Sequence, residues 1–181
     1  MPRRLHWYVR SLIAIEAFAG RSVFQIAFVV NDLEEALERY SAALNAAPWR
    51  CYTLGAKGHE VCDYHGGPTS FSSRLALNDT TPQLELIEPV RGPSAHQDWL
   101  EERGEGPHHL GIIVESVTAA VNQAAAAGYE AVQSGSGIGP GRDGSWAYLD
   151  TSRDLGLMIE AVEPPSSMPA VEFVWTPDVP A

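Results

Sequence analysis

The chain repeats itself. FQIAFVV (24–30) and HHLGIIV (108–114) are both short, nearly continuous apolar runs, the mark of buried strands. A helix signal follows each. Asp32 with Glu35 three residues later makes a capping box, and Leu33, Ala36, Leu37, Tyr40 and Leu44 recur at helical spacing. In the second copy Ser116 precedes Val117, Ala120, Val121 and Ala124. Residue against residue, Gln25 falls on His109 and Asp32 on Ser116, while ELIEP (85–89) falls on EAVEP (160–164), setting Glu85 on Glu160. Such a duplication constrains the architecture more than any single motif. One unit cannot cover both faces of its small sheet, whereas two side by side can curl around a shared hollow.

The remaining elements fall in the same order twice. WRCYTL (49–54), FSSRLAL (71–77) and QLELIEP (83–89) read as strands, and so do YEAVQS (129–134), SWAYLD (145–150) and LGLMIEAVEP (155–164). SAHQDWLEERG is a short helix closed by Gly104; GAKGHEVCDYHGGPTS reads as a long loop and SGSGIGPGRDG as a flexible one without a phosphate-binding context. The expectation is an α+β fold: two tandem βαβββ modules, 24–90 and 108–164, linked by 91–107, forming a cupped, mostly antiparallel sheet around a central cavity. Residues 1–23 are expected to be a helical arm and 165–181 a Pro-rich tail extended over the surface.

Charge narrows the partners. Acidic residues number 23 against 12 basic ones, so a net charge of −11 repels nucleic acid and anionic membranes. An anionic substrate would need a local basic pocket, for which Arg74, Arg91, Arg103 and Arg142 are the candidates. No apolar run is long enough to span a bilayer, and Arg10 and Glu16 break up the N-terminal one, so a cytoplasmic protein is expected. Cys51 and Cys62 are either free thiols or one bridge. Trp49, Tyr52, Phe71, Trp146 and Tyr148 read as core or cavity wall; facing inward, they would suit a bulky apolar or ring-containing ligand.

QIAFVVNDLEEAL, LELIEPVRGPSAHQDWLEERGEGPHHLGIIVE and DLGLMIEAVEP resemble the vicinal oxygen chelate superfamily, which includes glyoxalase I, methylmalonyl-CoA epimerase, extradiol dioxygenases and bleomycin-resistance proteins. The middle stretch is similar to the epimerase branch, where a Pro-Ser segment and a short helix lead into a Gly-x-His-His strand. The resemblance implies that each module lends a metal one residue from its first strand and one from its last: Gln25 and Glu85, then His109 and Glu160. It implies His109 rather than His108, which has opposite parity and should face away from the cup. Oxygen and nitrogen donors of this kind suit Zn²⁺, Co²⁺, Ni²⁺ or Mn²⁺. A metal holding a carbonyl would stabilise an enolate, with Glu160 and Glu85 as acid and base.

The implied function is thus a metal-dependent glyoxalase- or epimerase-like lyase or isomerase, acting as a homodimer on a small molecule, an acyl thioester or a bulky carbonyl compound. The alternative is a metal-free binding or antibiotic-sequestration protein of the bleomycin-resistance type. Epimerases carry histidine where Gln25 stands, although the zinc form of glyoxalase I has glutamine there, and the substitution argues against the two-histidine, one-carboxylate site of an extradiol dioxygenase. Taken alone, Gln25 reads as a hydrogen-bonded strand residue, and Glu85 and Glu160 as outward charges on half-buried strands, against which stand their apolar neighbours Leu84 and Leu86, Ile159 and Ala161. Glu88, Glu163, His59 and His65 are expected in solvent.

Overall fold

Asp32 accepts a hydrogen bond from Glu35 N at 2.8 Å, and helix α1 (Leu33–Leu44) starts there. It stops where Asn45 turns left-handed at φ 53° and donates to Ser41 O. Leu33, Ala36 and Leu37 on its buried side pack against Trp49, Ala76 and Leu86. Trp49 donates its indole N–H to Ser41 Oγ at 2.8 Å, so the ring is buried without stranding its one polar atom. Ser116 begins α3 (Val117–Ala126) in the same way, accepting from Ala119 N at 3.2 Å. Both caps read from the repeat are therefore made.

The computed structural model describes residues 14–55 and 61–177. The expected arm up to residue 13 and His59 lie outside them. Module one supplies β1 (Val23–Val29), β2 (Trp49–Leu54), β3 (Val61–Tyr64), β4 (Gly67–Pro68), β5 (Ser72–Leu77) and β6 (Gln83–Arg91). Helix α2 (Ala95–Arg103) links it to β7 (Gly106–Ile113), β8 (Ala131–Ile138), β9 (Gly144–Leu149) and β10 (Met158–Glu163). One sheet results, in the order β11-β2-β5-β6-β1-β7-β10-β9-β8-β3-β4, where β11 is Phe173–Trp175. The order β2-β5-β6-β1 mirrors β8-β9-β10-β7 about the β1–β7 seam, which is the duplication in three dimensions. The β1–β6 and β7–β10 pairs are parallel and the other pairs antiparallel. The α+β, cupped and mostly antiparallel architecture is as expected.

Four local readings change. The loop after β2 contains the β3–β4 hairpin, which pairs with β8 of the other module, Val61 opposite Ser136 and Tyr64 opposite Gln133. A strand whose partner lies in the other module leaves little local pattern. Strand β8 runs on into the Gly-rich stretch because Gly135 faces Trp146, where a Cβ would come within 2.7 Å of the indole. A single helical turn, α4 (Ser152–Leu155), precedes β10. The tail also contributes β11, whose three residues pair with β2.

Cys51 and Cys62 do not form a disulfide. Cys51 is buried, and burial pushes its thiol up to about 11. Iodoacetamide at pH 8 is expected to spare Cys51 in the native protein and to label it only once the chain is unfolded, a difference read by mass spectrometry. Among the described residues no helix is long and apolar enough to cross a membrane.

Candidate functional site

Residues directly opposite one another in neighbouring strands share a face of the sheet. One such row crosses the middle of the cup: Gln83 on β6, Gln25 on β1, Gly111 on β7, Glu160 on β10 and Tyr148 on β9. The next row holds Glu85, Ala27 and His109. The pleat therefore brings Gln25, Glu85, His109 and Glu160 to one concave face from four different strands. His109 Nε2 lies 3.2 Å from Glu160 Oε2 and 3.4 Å from Glu85 Oε2. All four residues are buried. Gln25 donates its amide N–H to Gln83 Oε1 at 3.0 Å.

Gly111 makes this row possible. A Cβ there would sit 2.8 Å from Phe24 Cε1 and 3.0 Å from Gln25 Cβ. Gly111→Ala is expected to push Gln25 out of the row and to cost about 1–3 kcal/mol of stability. A fall in the urea midpoint at unchanged slope would show it.

The two histidines depart from simple alternation. Ala27 pairs with His109 and Phe28 with Pro107, so His108 is an extra residue in β7 with no partner in β1. That β-bulge turns His108 to the same side as His109. Both rings stand against Tyr148, with centroids 5.2 and 4.8 Å away, and the two Nδ1 atoms are 2.9 Å apart. The expectation that His108 faces away is overturned by the bulge. Module one repeats the device: Phe24 is the extra residue in β1, between the pairs Val23–Ile112 and Gln25–Gly111, and both Phe24 and Gln25 line the cavity. Phe24 and His108 occupy equivalent places in the two copies.

Burial and charge pull these groups in opposite directions. Burial pushes the Glu85 carboxyl above its ordinary range. For His109 burial opposes protonation, but the Glu160 and Glu85 carboxylates outweigh it and hold its pKa at about 9. Burial, with His109 nearby, drives His96 down to about 3. Burial and the neighbouring imidazoles hold His108 well below its usual value. Tyr148 is raised by burial and by the two carboxylates. The two carboxylates thus favour protonation of His109, while burial disfavours it at His96 and His108.

His109 Nε2 is buried yet meets no hydrogen-bond geometry, despite two carboxylates at ion-pair distance. Two carboxylate oxygens and an imidazole nitrogen that converge within ion-pair distance, outside hydrogen-bond geometry, are donor types a divalent cation would fit. A second group, His96, His108 and His109, has one nitrogen from each ring within 4.8 Å of the others. Much of its hydrogen-bonding capacity is already used: His96 Nε2 contacts Tyr148 Oη at 2.9 Å, His96 Nδ1 contacts Ser73 Oγ at 3.4 Å, and the Nδ1 atoms of His108 and His109 face each other. The Glu85, His109 and Glu160 set differs from it in offering two carboxylates beside the imidazole.

The cavity above this set measures about 530 Å³. Tyr52, Trp146 and Tyr148 line it, whereas Trp49 and Phe71 belong to the core. Of the four arginines considered above none lines it: Arg74 pairs with Glu34 and Glu88, and Arg103 stacks over Trp99. Among the described residues the cation that lines it is Arg50, held by Asp79. Glu163, expected in solvent, accepts from Val117 N and Ser145 Oγ, and His65 is exposed beside Glu130. Tyr148, read from the sequence as core or cavity wall, lines the cavity, whereas nothing in the sequence marked His96. Register sets Tyr148 opposite Glu160; a lone histidine on a polar helix carries no such signal.

The glyoxalase/bleomycin resistance protein/dioxygenase superfamily model matches residues 24–148. No curated protein matches the chain. Among solved structures, a hypothetical protein from Bacillus halodurans C-125 is 20% identical over 83% of this chain and 99% of its own, with a TM-score of 0.57. A Streptomyces coelicolor methylmalonyl-CoA epimerase variant in complex with 2-nitronate-propionyl-CoA is also 20% identical, over 82% of this chain and 98% of its own, at 0.55. The Mycobacterium tuberculosis methylmalonyl-CoA epimerase is 19% identical over 78% and 86%, at 0.51. These likenesses establish the shared fold. With the mirrored modules and a family match over most of its length, the chain belongs to the glyoxalase/bleomycin resistance/dioxygenase, or vicinal oxygen chelate, superfamily.

Proposed function

We propose that this chain is a metal-dependent enzyme of the glyoxalase or epimerase kind, a lyase or isomerase, in which Gln25, Glu85, His109 and Glu160 hold a divalent ion. Glu160 and Glu85 move the substrate's proton. The observation carrying this reading is the buried, unbonded His109 Nε2 between carboxylates from the last strands of the two modules. Gln25 would offer its amide oxygen, since its nitrogen is given to Gln83. A divalent ion would polarise a substrate carbonyl and so acidify the adjacent C–H.

The protein's own groups do the rest. Glu160 Oε2, at the floor of the cavity, accepts the proton; Glu85, whose affinity for a proton is raised by burial, returns one from its own side. His108 is a positioning residue. Two Nδ1 atoms at 2.9 Å need one proton between them. If His109 offers the lone pair of Nε2, its proton stays on Nδ1 and is donated to His108 Nδ1. His108 then carries its own proton on Nε2, the ring nitrogen turned away from His109. The substrate is a small molecule with a carbonyl beside an acidic C–H, an acyl thioester or a bulkier carbonyl compound.

Metal analysis of protein purified without chelator tests the reading. About one divalent ion per chain, or stoichiometric uptake of added Zn²⁺ or Co²⁺, is expected. Protein that neither carries nor takes up an ion would sink it and leave the metal-free sequestration reading.

A further inference from the structure

The Pro-rich segment after β10 does not simply lie over the outside. Pro164, Pro165, Met168, Pro169 and Val171 line the same cavity as Glu85 and Glu160. The segment is fixed at both ends. At its start, Ser166 N donates to the Asp143 carboxylate at 3.2 Å. Pro165 also rests against Gly139 and Gly144, where a Cβ would come within 2.6 and 3.0 Å of its ring. The Gly-rich run of the β8–β9 hairpin is therefore a seat for this strap. At its far end Glu172 accepts from Thr53 N at 3.2 Å and Thr53 Oγ1 at 3.0 Å, and β11 pairs with β2. The strap thus runs from module two to module one across the mouth of the cup.

Between those anchors Met168 and Pro169 also line a second chamber of about 310 Å³, on the side of Thr53, Pro140 and Glu172. They are the strap residues common to this chamber and to the one containing the carboxylates. Apart from Gln25, Gln83, His96, Ser145 and the charged residues, the walls of the carboxylate chamber are apolar or aromatic, among them Phe24, Tyr52 and Trp146. Among the described lining residues the one cation, Arg50, is neutralised by Asp79, whereas Glu85, Glu160 and Glu163 are acids. Such a chamber repels phosphate and rewards apolar surface.

From this we infer that the ligand is a compact, phosphate-free compound with an apolar, ring-bearing body, and that the strap from Pro164 to Val171 is the specificity element limiting its length. That the ligand bears a carbonyl rests on the function proposed above; its apolar character and size do not. Titration of the full-length chain with N-phenyl-1-naphthylamine, a neutral two-ring fluorophore, in the presence of EDTA tests the inference without any metal. Saturable binding of one probe per chain is expected, undisturbed by millimolar coenzyme A. Met168→Trp should weaken it by about tenfold or more, and Met168→Ala should improve uptake of the longer rod diphenylhexatriene by about tenfold. Met168 is half exposed, and thermal melts would verify that both variants fold. Displacement by coenzyme A, no saturable binding, or binding indifferent to both substitutions would each overturn the inference. Because no metal takes part, any of these results leaves the metal-centred reading standing, and loss of that reading leaves these results unchanged.

Discussion

Glu160→Gln is expected to lose more than about a hundredfold in affinity for Zn²⁺ or Co²⁺ while keeping its fold. The substitution preserves the shape of the side chain and removes only its charge and its basic oxygen. Glu160 Oε2 lies closer to His109 Nε2 than Glu85 does, 3.2 against 3.4 Å, and it lines the cavity floor. An anionic donor is therefore exchanged for a neutral amide at the centre of the site. Competition with a chromophoric chelator gives the number. Glu88→Gln is the control: that carboxylate pairs with Arg74 and does not line the cavity. Once a substrate is known, Glu160→Gln should also lower kcat by about 10²–10⁴, the usual worth of a placed acid or base. Equal metal affinity in Glu160→Gln and the unsubstituted protein would remove Glu160 from the ligand set.

His108→Leu should weaken metal binding by about 10–100-fold, although His108 is not itself a proposed ligand. Leucine fills the space but cannot accept the proton on His109 Nδ1, which becomes an unpaired buried donor; that costs about 1–3 kcal/mol in addition. His108→Asn distinguishes positioning from packing. Its Oδ1 can stand where His108 Nδ1 stands, 2.9 Å from His109 Nδ1, and accept the same hydrogen bond. Metal affinity should then return to within a few fold of the original, even though asparagine is smaller than histidine and packs less well. Nitrogen NMR of the zinc-loaded protein should place the His109 proton on Nδ1. If leucine and asparagine at position 108 bind metal equally well, His108 is merely core.

These expectations depend on features with different visibility in the sequence. The duplication, the capping residues Asp32 and Ser116, and the strands carrying Gln25, Glu85, His109 and Glu160 could all be read in advance. Each is a local pattern: apolar runs, helical period and short-range caps repeat within a few residues. Resemblance to a family then named the four positions, and the register of the sheet brings them to one face. The orientation of His108 could not be read, because strict alternation holds only while the ladder is unbroken. The bulge is a property of the β1–β7 pairing, not of either strand. His96 was hidden for a similar reason: it reaches Tyr148 through the packing of α2 on the sheet, 52 positions away in the chain.

Residue pattern alone was enough for two modules, their order, and which side chains could share a concave face, because hydrophobic period and capping act over short stretches of chain. Folding in three dimensions was needed to turn both histidines inward, to lay the β3–β4 hairpin on the opposite module, and to draw the Pro-rich strap across the cavity. Those contacts join segments remote in sequence. Their free energy exists only when both partners are already in place, so neither segment records it separately.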